Sequence, residues 1–308
     1  MFGRLALIGL GLIGSSIAWA AKRHGLAGEI VGHARSRATR ETAVRLGFCD
    51  RVSDTAREAA EGADLVILCT PVGACGPVSE AIAPALRPGA IVSDVGSVKG
   101  AVIEAMAPHI PAGVHFVPAH PIAGTEQSGP EAGFAELFED RWCILTPLPE
   151  TAPEAVARLR AFWEATGAKI DEMDPAHHDL VLAVTSHVPH AIAYTMVGVA
   201  EHLRRVTETE VIRFSAAGFR DFTRIAASDP VMWRDVFLAN REATLDILGR
   251  FAEELFVLQR AIRMGDARFL EDYFTETRAV RRGIIEAGQD IGAPDFGRTL
   301  VRKKGPGG

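Results

Sequence analysis

The stretch Gly9-Leu10-Gly11-Leu12-Ile13-Gly14 constrains this chain more than any other. Three glycines at GxGxxG spacing say little alone. Here, however, an apolar β-type run, RLALI, leads into them, an alanine-rich segment, SSIAWAAKR, follows, and Gly25 sits where a helix C-cap belongs. In such a strand-turn-helix, Gly9 permits the tight turn, Gly11 lets the backbone approach a pyrophosphate, and Gly14 lets helix and strand pack closely. The helix start at Leu12 and Ile13 then offers free amides and a positive dipole end to the phosphates. The expected ligand is a dinucleotide.

Loops of this type that bind NAD usually carry an acid about 20 residues further on, which holds the ribose hydroxyls. That position falls here at Ala34, in Gly32-His33-Ala34-Arg35-Ser36-Arg37. Arg35 and Ser36 suit a 2′-phosphate, because a guanidinium matches phosphate oxygens bidentately. If Arg35 instead stacks on the adenine, no phosphate preference follows. The cofactor is NAD or NADP, with the choice open.

From residue 4 to about 173, β-type runs alternate with amphipathic segments. The candidate strands RLALIG, EIVGHA, DLVILCTP, AIVSDVG, HFVPA, WCILTP and AKIDEM predict βαβ units on a mostly parallel sheet. After Asp174-Pro175 the strand signals stop, and helices are predicted over residues 175 to 204, 208 to 217, 219 to 228, 230 to 264 and 266 to 288, with Asp229-Pro230 and Gly265-Asp266 as stop and start signals. The expected fold is α/β: a Rossmann-type NAD(P)-binding domain at 1–173, then an all-α substrate and dimerisation domain at 174–290. The helical half is apolar on too many faces to be a solvated appendage, so a homodimer is expected through it. Residues 291–308 lose periodicity and are expected to be a mobile tail.

Composition narrows the partners. Of 308 residues 48% are hydrophobic, enough for a core, and the net charge of −6 comes from interspersed acids and bases with no basic block to neutralise a nucleic acid. Cys49, Cys69, Cys75 and Cys143 are scattered without metal-ligand spacing, so no metal site is expected and reduced thiols in a cytoplasm fit best. The apolar N-terminus resembles a signal peptide, but its glycine spacing argues against one. No membrane span is expected, since even LVLAVTSHVPHAIAYTMVGVA carries two His, a Pro and hydroxyls.

In open α/β folds ligands bind at the carboxyl edge of the sheet. Thr70 and Pro71 after one strand, with Asp94 and Ser97 after AIVS, are expected there beside the cofactor. Ala119-His120-Pro121-Ile122-Ala123-Gly124-Thr125-Glu126 reaches the same edge from another strand. A His at a strand end between Pro and Gly residues has the setting of a functional group.

The runs DVGSVKG, HPIAGTEQSG, SHVPH and GFRDFTRIAASDPVMWRD, in that order, resemble the motifs of the prephenate/arogenate dehydrogenase family, and the likeness covers residues 1 to about 288. The resemblance implies oxidation of a cyclohexadienol at C4, coupled to decarboxylation and aromatisation. It implies that His120 is the hydrogen-bond acceptor or general base for the C4 hydroxyl and that Ser97 orients His120 and the substrate. It implies that Arg224 grips a substrate carboxylate, steadied by Asp221 three residues earlier. His190 is placed near the substrate side chain, although His187 lies on a similar helix face and the two roles are interchangeable. Trp233 matches a Trp that reaches the site from the neighbouring subunit, although a helical Trp is by default a core residue. Thr125 and Glu126 are assigned to the substrate, Glu126 at its amino or keto end. His177, His178, His109, His115 and His202 are read as structural.

Two other readings compete. The β-hydroxyacid dehydrogenases and their imine-reducing relatives share this domain order, but the hydroxyacid enzymes use a Lys in the helical domain, and residues 170 to 301 contain no Lys. A dinucleotide-binding regulator without catalysis would have no need of Ser97, His120 and Arg224 together.

Overall fold

Strand β1 (Phe2–Ile8) is buried on both faces: Leu5 and Leu7 enter one hydrophobic core, Ala6 and Ile8 another. Such two-sided burial is what a central parallel strand requires. Around it β2 (Ala27–His33), β3 (Arg51–Val52), β4 (Leu65–Leu68), β5 (Ile91–Asp94) and β6 (His115–Phe116) form a six-stranded parallel sheet in the order β3-β2-β1-β4-β5-β6. The order reverses between β1 and β4, which is where a doubly wound sheet opens its ligand crevice. The computed structural model describes residues 1–125, 127–207 and 217–286. The expected tail at 291–308 and Glu126 lie outside the described residues.

The glycine loop follows β1 at that crevice and leads into α1 (Leu12–His24), which Gly25 ends in the left-handed conformation at φ 61°. Each glycine has a separate steric reason. Gly9 sits at φ 109°, and a Cβ there would fall 2.3 Å from the Cys69 carbonyl oxygen. A Cβ at Gly14 would lie 2.0 Å from the Gly9 carbonyl oxygen, whereas at Gly11 it would meet nothing within 4 Å. Gly9 and Gly14 therefore serve packing, and the space over Gly11 is left for a ligand.

The expectation of one mostly parallel sheet needs correction. Strands β7 (Ala119–Pro121), β8 (Trp142–Leu145) and β9 (Lys169–Glu172) form a separate three-stranded sheet, with β7 antiparallel to β8 and β8 parallel to β9. The run HFVPAHP passes from one sheet to the other. Val117 N–H still donates to Val92 of β5 at 2.9 Å. The next ladder donor, Ala119 N–H, meets the Asp94 side chain at 3.2 Å instead of β5 backbone, and the chain departs to pair with β8.

Between the strands lie α2 (Arg37–Leu46), α3 (Ala56–Ala60), α4 (Cys75–Ile82), α5 (Lys99–Met106) and α6 (Pro153–Ala165). The helical half begins with α7 (Pro175–Leu182), whose first turn is capped by the Asp174 carboxylate accepting from Ala176 and His177 N–H. One π-helical segment, Ala183–His187, joins it to α8 (Val188–Thr207). There follow α9 (Ala217–Thr223), a 3-10 turn (Arg224–Ala227), α10 (Pro230–Ala239), α11 (Arg241–Met264) and α12 (Ala267–Ile284). The expected helix over 230 to 264 is broken at Asn240, whose side chain is used elsewhere, as described below. Residues Met1–Ile247 form one compact unit and those from Leu248 another. By length and composition alone Pro175–His202 is apolar enough to cross a membrane. Its Asp179 and His187 are hydrogen-bonded to Lys99 and Asn240 within the same unit.

Replacing Gly14 by Ala is expected to lower stability by about 1–3 kcal/mol through overpacking, read as a lower urea midpoint. Gly11→Ala is expected to leave that midpoint nearly unchanged while weakening nucleotide binding by about tenfold or more. Equal effects of the two variants on folding would contradict this division of roles.

Candidate active site

Asp94 ends β5, and Lys99 begins α5 one tight turn later. Both side chains are fully buried, and Lys99 Nζ donates to Asp94 Oδ2 at 2.5 Å. The pair holds both main-chain groups of Ala119, since Asp94 accepts from Ala119 N–H and Lys99 donates to the Ala119 carbonyl at 2.7 Å. A third bond runs from Gly96 N–H to Asp94 at 2.7 Å. The residue preceding His120 is therefore clamped from above and below. Asp94 was expected beside the cofactor. Its complete burial and its full set of donors correct that: it is a structural anchor beneath the site.

His120 is 8% exposed. Its Nδ1 lies 2.9 Å from His178 Nε2, and His178 Nδ1 lies 2.8 Å from Asp179 Oδ1. The Asp179 carboxylate also accepts from Lys99 N–H at 2.7 Å and Gly100 N–H at 2.9 Å, at the start of α5. Burial raises the Asp179 carboxyl, but the bonds from His178 and the two amides outweigh it, and its pKa is lowered overall. Burial pushes His178 below the ordinary histidine value despite Asp179. His120 is pushed well below that value by burial, then by His178, Lys99 and His187. At neutral pH an ionised Asp179 thus faces two neutral imidazoles.

This contact with His120 is one that the reading of His178 as structural did not anticipate. A signal was present in the sequence, because the adjacent His178 and Asp179 put a titratable pair just inside the helix start at Asp174-Pro175. It was weak, because it links to His120 only across 58 positions.

His187 and His190 are distinguished by burial. His187 is fully buried, with its Nδ1 3.0 Å from Asn240 Nδ2, which also donates to the Asp179 carbonyl at 2.8 Å. An amide nitrogen only donates, so His187 Nδ1 is an acceptor and its proton resides on Nε2. That buried Nε2 has no well-formed hydrogen bond among the described residues, and the Ser97 backbone beside the ring acts on it as a weak acceptor, raising its pKa slightly against burial. His190 is half-buried, stacks on Trp233 with ring centroids 3.6 Å apart, and has its pKa lowered by burial and then by the charge of Arg224. The structure therefore brings Arg224, His190 and Trp233 together. Trp233 was expected to reach the site from a neighbouring subunit. Within its own chain it is 6% exposed and packed with Val98 and Val236. Asp221 lies on α9 and Arg224 opens the 3-10 turn, which Tyr194 ties to α8 by donating to the Ser228 carbonyl at 2.9 Å. Thr125 is exposed in the loop after β7.

At the cofactor edge, Thr70 and Pro71 follow β4 beside the glycine loop, where Cys69 N–H donates to the Ile8 carbonyl at 2.7 Å. Ala34 is buried just past β2. The Ser36 hydroxyl caps α2 by accepting from Thr39 N–H, and Arg40 donates to the Ala34 and Arg35 carbonyls. Ser36 is thus engaged, and Arg35 remains exposed.

These buried neutral histidines make folding depend on pH. The unfolded chain protonates them near pH 6.5, whereas burial holds folded His187 at about 4. Stability is therefore complete above about 6.5 and is lost as pH falls towards 4, by about 3 kcal/mol for His187 alone. Urea midpoints at pH 7 and pH 4.5 are expected to show this fall, and His187→Gln to make it shallower. An identical slope in that variant would remove His187 as its source.

Residues 17–172 match the family model of the prephenate dehydrogenase nucleotide-binding domain, and residues 174–276 match that of the prephenate dehydrogenase dimerization domain. A cyclohexadienyl dehydrogenase of Zymomonas mobilis is 43% identical over 91% of this chain and 96% of its own length. The prephenate dehydrogenase of Bacillus subtilis is 36% identical over 91% of this chain and 76% of its own. Among solved structures, prephenate dehydrogenase from A. aeolicus in complex with hydroxyphenyl propionate and NAD+ has a TM-score of 0.86 at 33% identity, covering 92% of this chain and 99% of that one. Synechocystis arogenate dehydrogenase has a TM-score of 0.75 at 29% identity, covering 91% and 99%. This chain belongs to the prephenate dehydrogenase family of NAD(P)-dependent oxidoreductases.

Proposed function

We propose that this protein oxidatively decarboxylates prephenate, arogenate or both, to 4-hydroxyphenylpyruvate and tyrosine respectively, in tyrosine biosynthesis. The observation that carries this is His120: a buried imidazole kept neutral, with Nδ1 committed to His178. Its remaining nitrogen is then available to accept the proton of the substrate's C4 hydroxyl. The nicotinamide, when bound, supplies the hydride acceptor. Ser97, at the carboxyl edge of the sheet, orients the same hydroxyl. Arg224 holds a substrate carboxylate, because a guanidinium offers paired donors to two oxygens. His190, stacked on Trp233, borders the substrate side chain, with Thr125 of the loop after β7 at its other end; Glu126 is assigned to the same end from the sequence motif alone. Loss of carbon dioxide with aromatisation makes the oxidation effectively irreversible, so the protein has only to align and polarise.

Gly9, Gly11, Leu12, Ile13 and Gly14 would hold the pyrophosphate, and the open space over Gly11 fits that group. With no acid at Ala34 and Ser36 engaged as a cap, Arg35 is the residue left to meet a 2′-phosphate, and NADP is accepted alongside NAD. The protein works in the cytoplasm as a homodimer through residues 174–290. In its second unit Leu255, Phe256, Ile262 and Met264 are at least half exposed, a surface suited to a second copy.

A two-by-two assay of prephenate or arogenate against NAD or NADP, followed by reduced nicotinamide formation, tests the substrate and the cofactor together. Inactivity in all four combinations would refute the function, and strict rejection of NADP would refute the role of Arg35. His120→Asn is expected to lower kcat by about two to four orders of magnitude with cofactor affinity retained; an active variant would remove it from the chemistry. Arg224→Ala is expected mainly to raise KM, and an unchanged KM would reassign Arg224 to structure.

A further inference from the structure

We infer that His178 and Asp179 are positioning residues that hold His120 in the one tautomer able to accept a proton from substrate, with Nδ1 protonated and Nε2 bare. The inference rests on the reaction proposed above and follows from three contacts. Asp179 Oδ1 receives Lys99 N–H at 2.7 Å and Oδ2 receives Gly100 N–H at 2.9 Å, which fixes the carboxylate at the start of α5. A carboxylate only accepts, so the His178 Nδ1 that lies 2.8 Å from it carries a proton. A neutral His178 then has a lone pair on Nε2. His120 Nδ1, 2.9 Å away, must donate to it, and the lone pair of His120 is left on Nε2.

The same aspartate sets the opposite tautomer in His187. Its main-chain carbonyl orients Asn240, which donates to His187 Nδ1 and leaves the His187 proton on Nε2. One residue thus makes His120 an acceptor through its carboxylate and His187 a donor through its backbone. When the substrate O–H bond breaks, its proton forms an N–H bond on His120 Nε2, and a bound nicotinamide would supply the acceptor for the hydride leaving C4. The imidazolium formed keeps Nδ1–H on His178, and its positive charge is stabilised through His178 by the Asp179 carboxylate. No further proton or electron is needed.

Three variants separate positioning from bulk structure. Gln places an amide oxygen near the former Nε2 and can accept from His120, Asn is too short to reach, and Phe offers no acceptor. His178→Phe and His178→Asn are expected to lower kcat by about a hundredfold or more, with substrate KM and cofactor Kd within about threefold of the parent. His178→Gln is expected to recover at least about tenfold of that loss. If His178→Phe does not fold, the comparison of Gln with Asn decides. Equal kcat in Gln and Asn variants, or a Phe variant within threefold of the parent, would overturn the assignment. A parent protein inactive on every substrate would instead refute the function, and the tautomer of His120, read from imidazole nitrogen shifts in parent and variants, would still test the positioning.

Discussion

The buried ion pair between Asp94 and Lys99 is the constraint on which the site depends. Two charges removed from water are costly, and their attraction roughly offsets that cost only when the geometry is good and the remaining valences are filled. Here they are filled by Gly96 N–H and by both main-chain groups of Ala119. The pair contributes less as net stability than as placement. It ends the parallel ladder, hands the chain from the six-stranded sheet to the three-stranded one, and sets down His120 at that junction.

From this clamp the polar network extends in one direction. Lys99 also opens α5, and the amides of Lys99 and Gly100 seat the Asp179 carboxylate of α7. One six-residue segment, from Asp94 to Lys99, thereby positions both the strand that carries His120 and the helix that supports it. The π-helical segment Ala183–His187 lies next along that helix, and insertions of this kind are frequent at functional sites. Because His120, His178 and His187 are buried, each is held in a defined protonation state. This couples the chemistry of the site to the stability of the fold.

Much of the architecture was legible in the amino-acid order. The glycine loop, the helix cap at Gly25 and the start signals Asp174-Pro175, Asp229-Pro230 and Gly265-Asp266 are local devices, and each acts as expected. The split into two sheets was not legible, since HFVPA has the same β character whichever strand it pairs with. Nor was the break at Asn240, where a side chain bonded to Asp179 and His187 interrupts an otherwise helical pattern.

The sequence by itself determined the dinucleotide loop, the strand and helix content, and the motifs that mark His120, Ser97 and Arg224, because these depend on local sterics and spacing. Only the tertiary structure decided that Asp94 lies beneath the site, that Trp233 packs within its own chain, and that His178 with Asp179 supports His120. Those facts depend on burial and on hydrogen bonds between residues far apart in sequence. Residue identity can supply a donor or an acceptor, but which partner it meets is settled only when the elements pack and water is excluded.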